Sequence, residues 1–96
     1  MDIQRLITMG KLECDFDLNG VVFHMVTPTA DEVAKVNDNI DLLAVCIKAV
    51  DKEPCGPEDV RAALKPMQGA IVGRLTTRLT DLITEQGALV DNLPKK

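Results

Sequence analysis

Apolar and polar side chains alternate strictly along residues 11–26. Leu12, Cys14, Phe16 and Leu18 interleave with Glu13, Asp15 and Asp17, and after Asn19-Gly20 the alternation resumes at Val21, Phe23 and Met25. A period of two is the signature of a strand with one buried face. Asn-Gly suits a two-residue type I′ turn, whose central residues both need positive φ. That turn pairs Leu18 with Val21, Phe16 with Phe23 and Cys14 with Met25, which puts all seven apolar side chains on one face. The pattern predicts a β-hairpin over 11–26. Two strands alone are marginal in water, so the rest of the chain must cover that face.

The pattern changes to a helical one after Thr27-Pro28. Thr29-Ala30-Asp31-Glu32 has the spacing of a capping box. Val33, Val36, Ile40, Leu43, Ala44, Ile47 and Val50 then recur at helical intervals, with Asn37-Asp38-Asn39 dividing one bent helix or two. Lys52 to Pro57 reads as a loop. Pro57-Glu58-Asp59 reads as the first turn of a short helix, with Pro at N1, acids at the positive end and Pro66 as the stop. Ile71, Val72, Leu75, Leu79, Leu82 and Ile83 stripe the last helix, and Gly87 is placed to end it. Ile3, Leu6 and Ile7 share a face in residues 1–10, too short to form a stable helix alone. The expected class is α+β, an N-terminal β-hairpin packed on three to four short helices. It forms one domain over 1–96, with an arm or short helix at 1–10, helices across 29–86 and a flexible tail at 87–96.

Composition narrows the function classes. A chain of 96 residues buries only about 60–65% of its unfolded surface, which leaves little room for a deep cleft beside the core. Trp and Tyr are absent and only Phe16 and Phe23 are aromatic, so the core is aliphatic. The net charge of −4 disfavours a nucleic-acid partner. Charge is split, with twelve acids and five bases in residues 1–59 and three acids and six bases in 60–96. Cys14, Cys46 and Cys55 are odd in number and lack C-x-x-C spacing, which points to a reducing compartment. No secretory signal or membrane span is expected.

The chemistry-bearing candidates read mainly as structure. Asp15-Phe16-Asp17-Leu18-Asn19-Gly20 opens like a calcium loop, but its twelfth position is Val26, and a hairpin with a polar outer face explains it better. The turn register sets His24 opposite Asp15, a cross-strand pair, while Cys14 points to the other face and no Ser occurs in the chain. Gly69-x-x-x-Gly73 reads first as close packing within the domain, and second as a partner contact or hinge. Arg61, Lys65, Arg74 and Arg78 form a basic stripe at helical spacing, a solvated face in the first instance. No metal, cofactor or catalytic set is expected. The helices carry more apolar stripe than one hairpin can cover, and the surplus is expected to be a groove for a partner helix or a self-association surface.

The order of these elements resembles the phage tail assembly chaperone family. The likeness is carried by Ile3-Gln4-Arg5-Leu6-Ile7 through Gly10-Lys11, and by Asn19-Gly20-Val21-Val22-Phe23-His24-Met25-Val26-Thr27-Pro28-Thr29 running into Asp31-Glu32-Val33. It spans roughly residues 1–86, and is a likeness of pattern and layout. It implies a non-enzymatic assembly factor of the host cytoplasm that coats the tape measure protein and helps recruit tail tube subunits. It also implies a longer frameshifted form in many members, with which Lys95-Lys96 is compatible. The apolar stripe of the last helix is read as mostly core; the expected protein-binding residues, wherever they prove exposed, are Ile71, Leu75, Leu79 and Leu82 on that helix and Ile3, Leu6 and Ile7 at the N-terminus. Rival classes are a structural virion protein (tail, baseplate or head–tail joining component) and a small phage regulator binding a host protein.

Overall fold

The computed structural model describes Ile3 and residues 9–91, with side chains as far as Ala88; Leu6, Ile7 and the expected tail beyond Asp91 lie outside the described residues. Asn19 and Gly20 take φ of 54° and 88°, as a type I′ turn requires. The Gly20 N–H donates to Asp17 Oδ1 at 3.0 Å. Strands β1 (Glu13–Leu18) and β2 (Val21–Val26) pair antiparallel, with Leu18 opposite Val21, Phe16 opposite Phe23 and Cys14 opposite Met25. Glu13, Asp15 and Asp17 are exposed, whereas Cys14, Phe16 and Leu18 are half-buried and Phe23 and Met25 are buried. The ladder runs one pair further: Thr27 N–H donates to the Leu12 carbonyl at 3.0 Å, and Leu12 N–H donates to Thr27 Oγ1 at 3.1 Å.

Helix α1 (Ala30–Ala34) begins with the expected capping box. Glu32 N–H donates to Thr29 Oγ1 at 3.2 Å and Thr29 N–H donates to Glu32 Oε1 at 3.0 Å. Asn37-Asp38-Asn39 does divide the segment. Asp38 caps a separate helix, α2 (Asn39–Cys46), by accepting from Asp41 N–H at 2.9 Å. The helical stripe through Ile47 and Val50 ends there, against expectation. Ile47–Val50 is strand β3, and Glu53–Pro54, expected as loop, is strand β4.

The sheet is therefore four-stranded, in the order β1-β2-β3-β4. Val50 lies opposite Phe23 and Ile47 opposite Met25, with a register slip between His24 and Met25. Helical spacing at Ile47 and Val50 is also compatible with a strand end, and β-branched side chains gain more by pairing with Phe23 and Met25. The β3–β4 turn uses Asp51 and Lys52 at φ of 50° and 70°. Asp51 is held there by Val22, whose N–H donates to Asp51 Oδ1 at 2.9 Å and whose carbonyl accepts from Asp51 N–H at 2.8 Å.

Helix α3 (Pro57–Leu64) starts with Pro in its first turn, as expected. Helix α4 (Gly69–Asp91) continues past Gly87 to Asp91, so residues 87–91 are helix rather than tail. A glycine ends a helix by itself taking a left-handed conformation, and Gly87 has no positive φ. The core joins Met25 and Ile47 from the sheet, Leu43 and Cys46 from α2, Val60 and Leu64 from α3, and Leu75, Leu79 and Leu82 from α4. Arg61 Nε donates to Asp41 Oδ1 at 2.7 Å across α2 and α3. Lys48 Nζ donates to Glu32 Oε2 at 2.8 Å, tying α1 to β3. The class is α+β, with helices α2, α3 and α4 on the apolar face of the sheet.

The glycines give a direct test of this architecture. A Cβ at Gly73 meets nothing within 4 Å, so Gly73→Ala is expected to raise stability by about 0.5–1 kcal/mol through helix propensity. Gly20→Ala, at φ of 88°, is expected to lower it by about 1–2 kcal/mol. Urea unfolding measures both; losses of equal size at the two positions would contradict the placement.

Candidate functional site

The expected docking residues separate. Leu75, Leu79 and Leu82 are 0%, 1% and 2% exposed, so the expectation that they face a partner is corrected. The hairpin, extended by β3, presents a wider apolar face than two strands do, and those leucines are spent covering it. Ile71 is half-buried. Ile3 is 57% exposed, and Met9 and Val33, which the apolar pattern did not single out for docking, are 57% and 52% exposed. Leu6 and Ile7 lie outside the described residues.

The outer face of the sheet is polar. His24 Nδ1 lies 2.8 Å from Asp15 Oδ1 and Nε2 lies 2.9 Å from Glu13 Oε1. With an acceptor at each ring nitrogen, the doubly protonated imidazolium satisfies both contacts. The Asp15 hydrogen bond, and the Glu13 bond after it, hold the His24 pKa above its ordinary value of 6.5 against an opposing contribution from burial. The carboxylates bracket the ring instead of converging on one nitrogen, and among the described residues no group of three His, Cys, Asp or Glu side chains is arranged to hold a metal ion. Cys14 lies on the opposite, apolar face, where burial pushes its thiol up. Cys46 is pushed up to about 12 by burial, which leaves its thiol protonated and unreactive at neutral pH.

Beside a groove of about 320 Å³ on the outer face, lined by Asp15, His24 and Lys52 among others, two larger grooves flank this sheet among the described residues. One, of about 520 Å³, is lined by Met9, Lys11, Val26, Pro28, Thr29, Lys48 and Gln86 among others. Gln86 Nε2 closes its end by donating to the Gly10 carbonyl at 3.1 Å. The other, of about 610 Å³, runs between Phe16 of β1 and the flank of α4 formed by Ala70, Gly73, Arg74, Thr77, Arg78 and Asp81.

That second groove changes the reading of Gly69-x-x-x-Gly73. A Cβ at either glycine meets nothing within 4 Å, so the expected close packing within the domain is corrected, and the small residues leave an open flank. Thr77 adds no free donor there, because its hydroxyl donates to the Gly73 carbonyl at 3.0 Å. Among the described residues, neither Arg74 nor Arg78 makes an ion pair within 4.0 Å. The glycine spacing and arginine stripe were visible in the sequence; their lying beside the outer strand was not, because it depends on how α4 crosses the sheet. No helix is long and apolar enough to cross a membrane among the described residues.

Comparison with protein-family models, with curated proteins and with solved structures finds no match to this chain.

The His24 bracket predicts a pH dependence of definite sign. A folded pKa above the unfolded one stabilises fully below the ordinary value of 6.5 and loses that contribution as pH rises through the raised folded value. An NMR titration of the His24 ring is expected to give a midpoint above 6.5, falling further in Asp15→Asn than in Glu13→Gln. Urea stability is expected to decline across the same interval and to flatten there in Asp15→Asn. A midpoint at or below the ordinary value would show that the bracket is not formed.

Proposed function

We propose that this chain is a non-catalytic phage tail assembly chaperone, working in the host cytoplasm to mask apolar segments of the tape measure protein and to aid tail tube polymerisation. Its support in sequence is the resemblance of the hairpin, the Thr27-Pro28-Thr29 entry and the capped helix to that family. The structural observation that carries it is the distribution of apolar surface. Ile3, Met9 and Val33 stand exposed while Leu75, Leu79 and Leu82 of α4 are used up in the core. Met9 also lines the groove of about 520 Å³ with Val26 and Pro28. The chain's one imidazole and its thiols are engaged or raised in pKa, which favours a surface that binds over a site that reacts.

The mechanism is masking. A long helical client with apolar stripes aggregates unless they are covered, and many copies of a small domain cover them segment by segment. Each contact is small and releasable, with the overall affinity coming from multivalency along the client. Tube subunits then displace the domains in turn.

Co-expression with the tape measure protein of the same phage tests this. The chain is expected to keep that protein soluble and to co-purify with it, and Met9→Asp with Val33→Asp is expected to remove both effects while leaving the fold intact. An insoluble client together with the chain recovered in purified virions would instead identify a structural component. Capture of a host protein and no tail protein would identify a regulator.

A further inference from the structure

The outer edge of β1 carries the strongest unassigned feature. In an antiparallel ladder, alternate residues turn their N–H and C=O toward the neighbour and away from it. Leu12 bonds Thr27, and the register then gives Cys14, Phe16 and Leu18 to β2. The backbone groups of Glu13, Asp15 and Asp17 point away. β1 is an edge strand, and no strand pairs with that side among the described residues. A groove opens beside Phe16 of this strand, and its α4 wall carries Arg74 and Arg78 with one acid, Asp81.

We propose that this edge takes an extended segment of a partner protein as a fifth, antiparallel strand, one with lysine or arginine at outward positions and an acid among small or apolar residues at inward ones. Strand addition supplies main-chain hydrogen bonds, and the alternate side chains supply selectivity. Outward residues of the incoming strand stand beside Glu13, Asp15 and Asp17, all exposed carboxylates. Inward residues lie over the groove, where Phe16 meets an apolar side chain and Arg74 and Arg78 meet an acid. The absence of a side chain at Gly73, which lines the groove, keeps the space under the incoming strand open. A second copy of β1 is the wrong occupant, because antiparallel self-pairing sets carboxylate against carboxylate along the whole edge. The proposal rests on the chain being a partner-binding domain and names the surface and the chemistry of the segment bound. Its test needs no phage protein, so its failure is separable from failure of the assembly role.

The probe is a capped peptide, Lys-Val-Lys-Glu-Lys-Val-Lys, titrated calorimetrically into the intact chain. Saturable binding is expected. In an antiparallel addition the lysine N–H groups face β1 and those of Val and Glu face away. N-methylation of the lysines is therefore expected to abolish binding, while N-methylation of Val and Glu changes it by less than about twofold. Arg74→Glu with Arg78→Glu, both on the surface of α4, is expected to weaken binding about tenfold. No saturable binding, or equal tolerance of the two methylation patterns, overturns the proposal; the second result would mark simple attraction between peptide and acidic surface.

Discussion

Two adjacent residues at positive φ leave a hairpin one register, and at Asn19–Gly20 that register decides everything built on it. A slip of β1 by one residue against β2 would turn Cys14 and Phe16 to solvent and bring Glu13, Asp15 and Asp17 inward. With the turn in place, the same alternation does two jobs. It creates an apolar face wide enough to consume Leu75, Leu79 and Leu82 of α4, and it lines the opposite face with carboxylates that bracket His24. The inside of this domain and the character of its outside follow from one turn.

The turn also explains how the remaining elements are arranged. β2 offers its second edge to β3, and Val22 holds Asp51 by two hydrogen bonds so that the chain reverses into β4. The growth of the sheet is therefore on one side only. β1 stays at the margin, with α4 crossing beneath it and a flank of small residues and arginines left uncovered. For a chain of 96 residues, the apolar surface that can be buried is limited. Burial of Leu75, Leu79 and Leu82 leaves Ile3, Met9 and Val33 as the large apolar side chains exposed among the described residues.

What the sequence makes legible divides along the range of the interactions. The hairpin, the capping box at Thr29, the Asp38 break, the Pro57 start and the apolar stripe of α4 are all local, and each is readable from neighbours within a few residues. β3 is not, because Ile47 and Val50 suit a helix stripe as well as a strand. Only pairing with Phe23 and Met25, more than twenty positions away, decides between them. The Asp51–Lys52 turn carries no glycine and depends on Val22 for its geometry. The same limit applies to the site. The sequence shows that α4 has a leucine stripe and a glycine pair, and the crossing of α4 over the sheet decides that Leu75, Leu79 and Leu82 are core and that Gly69 and Gly73 are open.

The central claim is that one face of the sheet is packed against the helices and that the outer edge of β1 is left unpaired. Residue-resolved amide hydrogen exchange of the intact chain tests it most directly. Amides of Cys14, Phe16 and Leu18 are expected to exchange slowly and those of Glu13, Asp15 and Asp17 rapidly, with the second set slowing when a partner strand is bound. Uniform protection along β1 in the free chain would show that its outer edge is already covered, and would contradict the account.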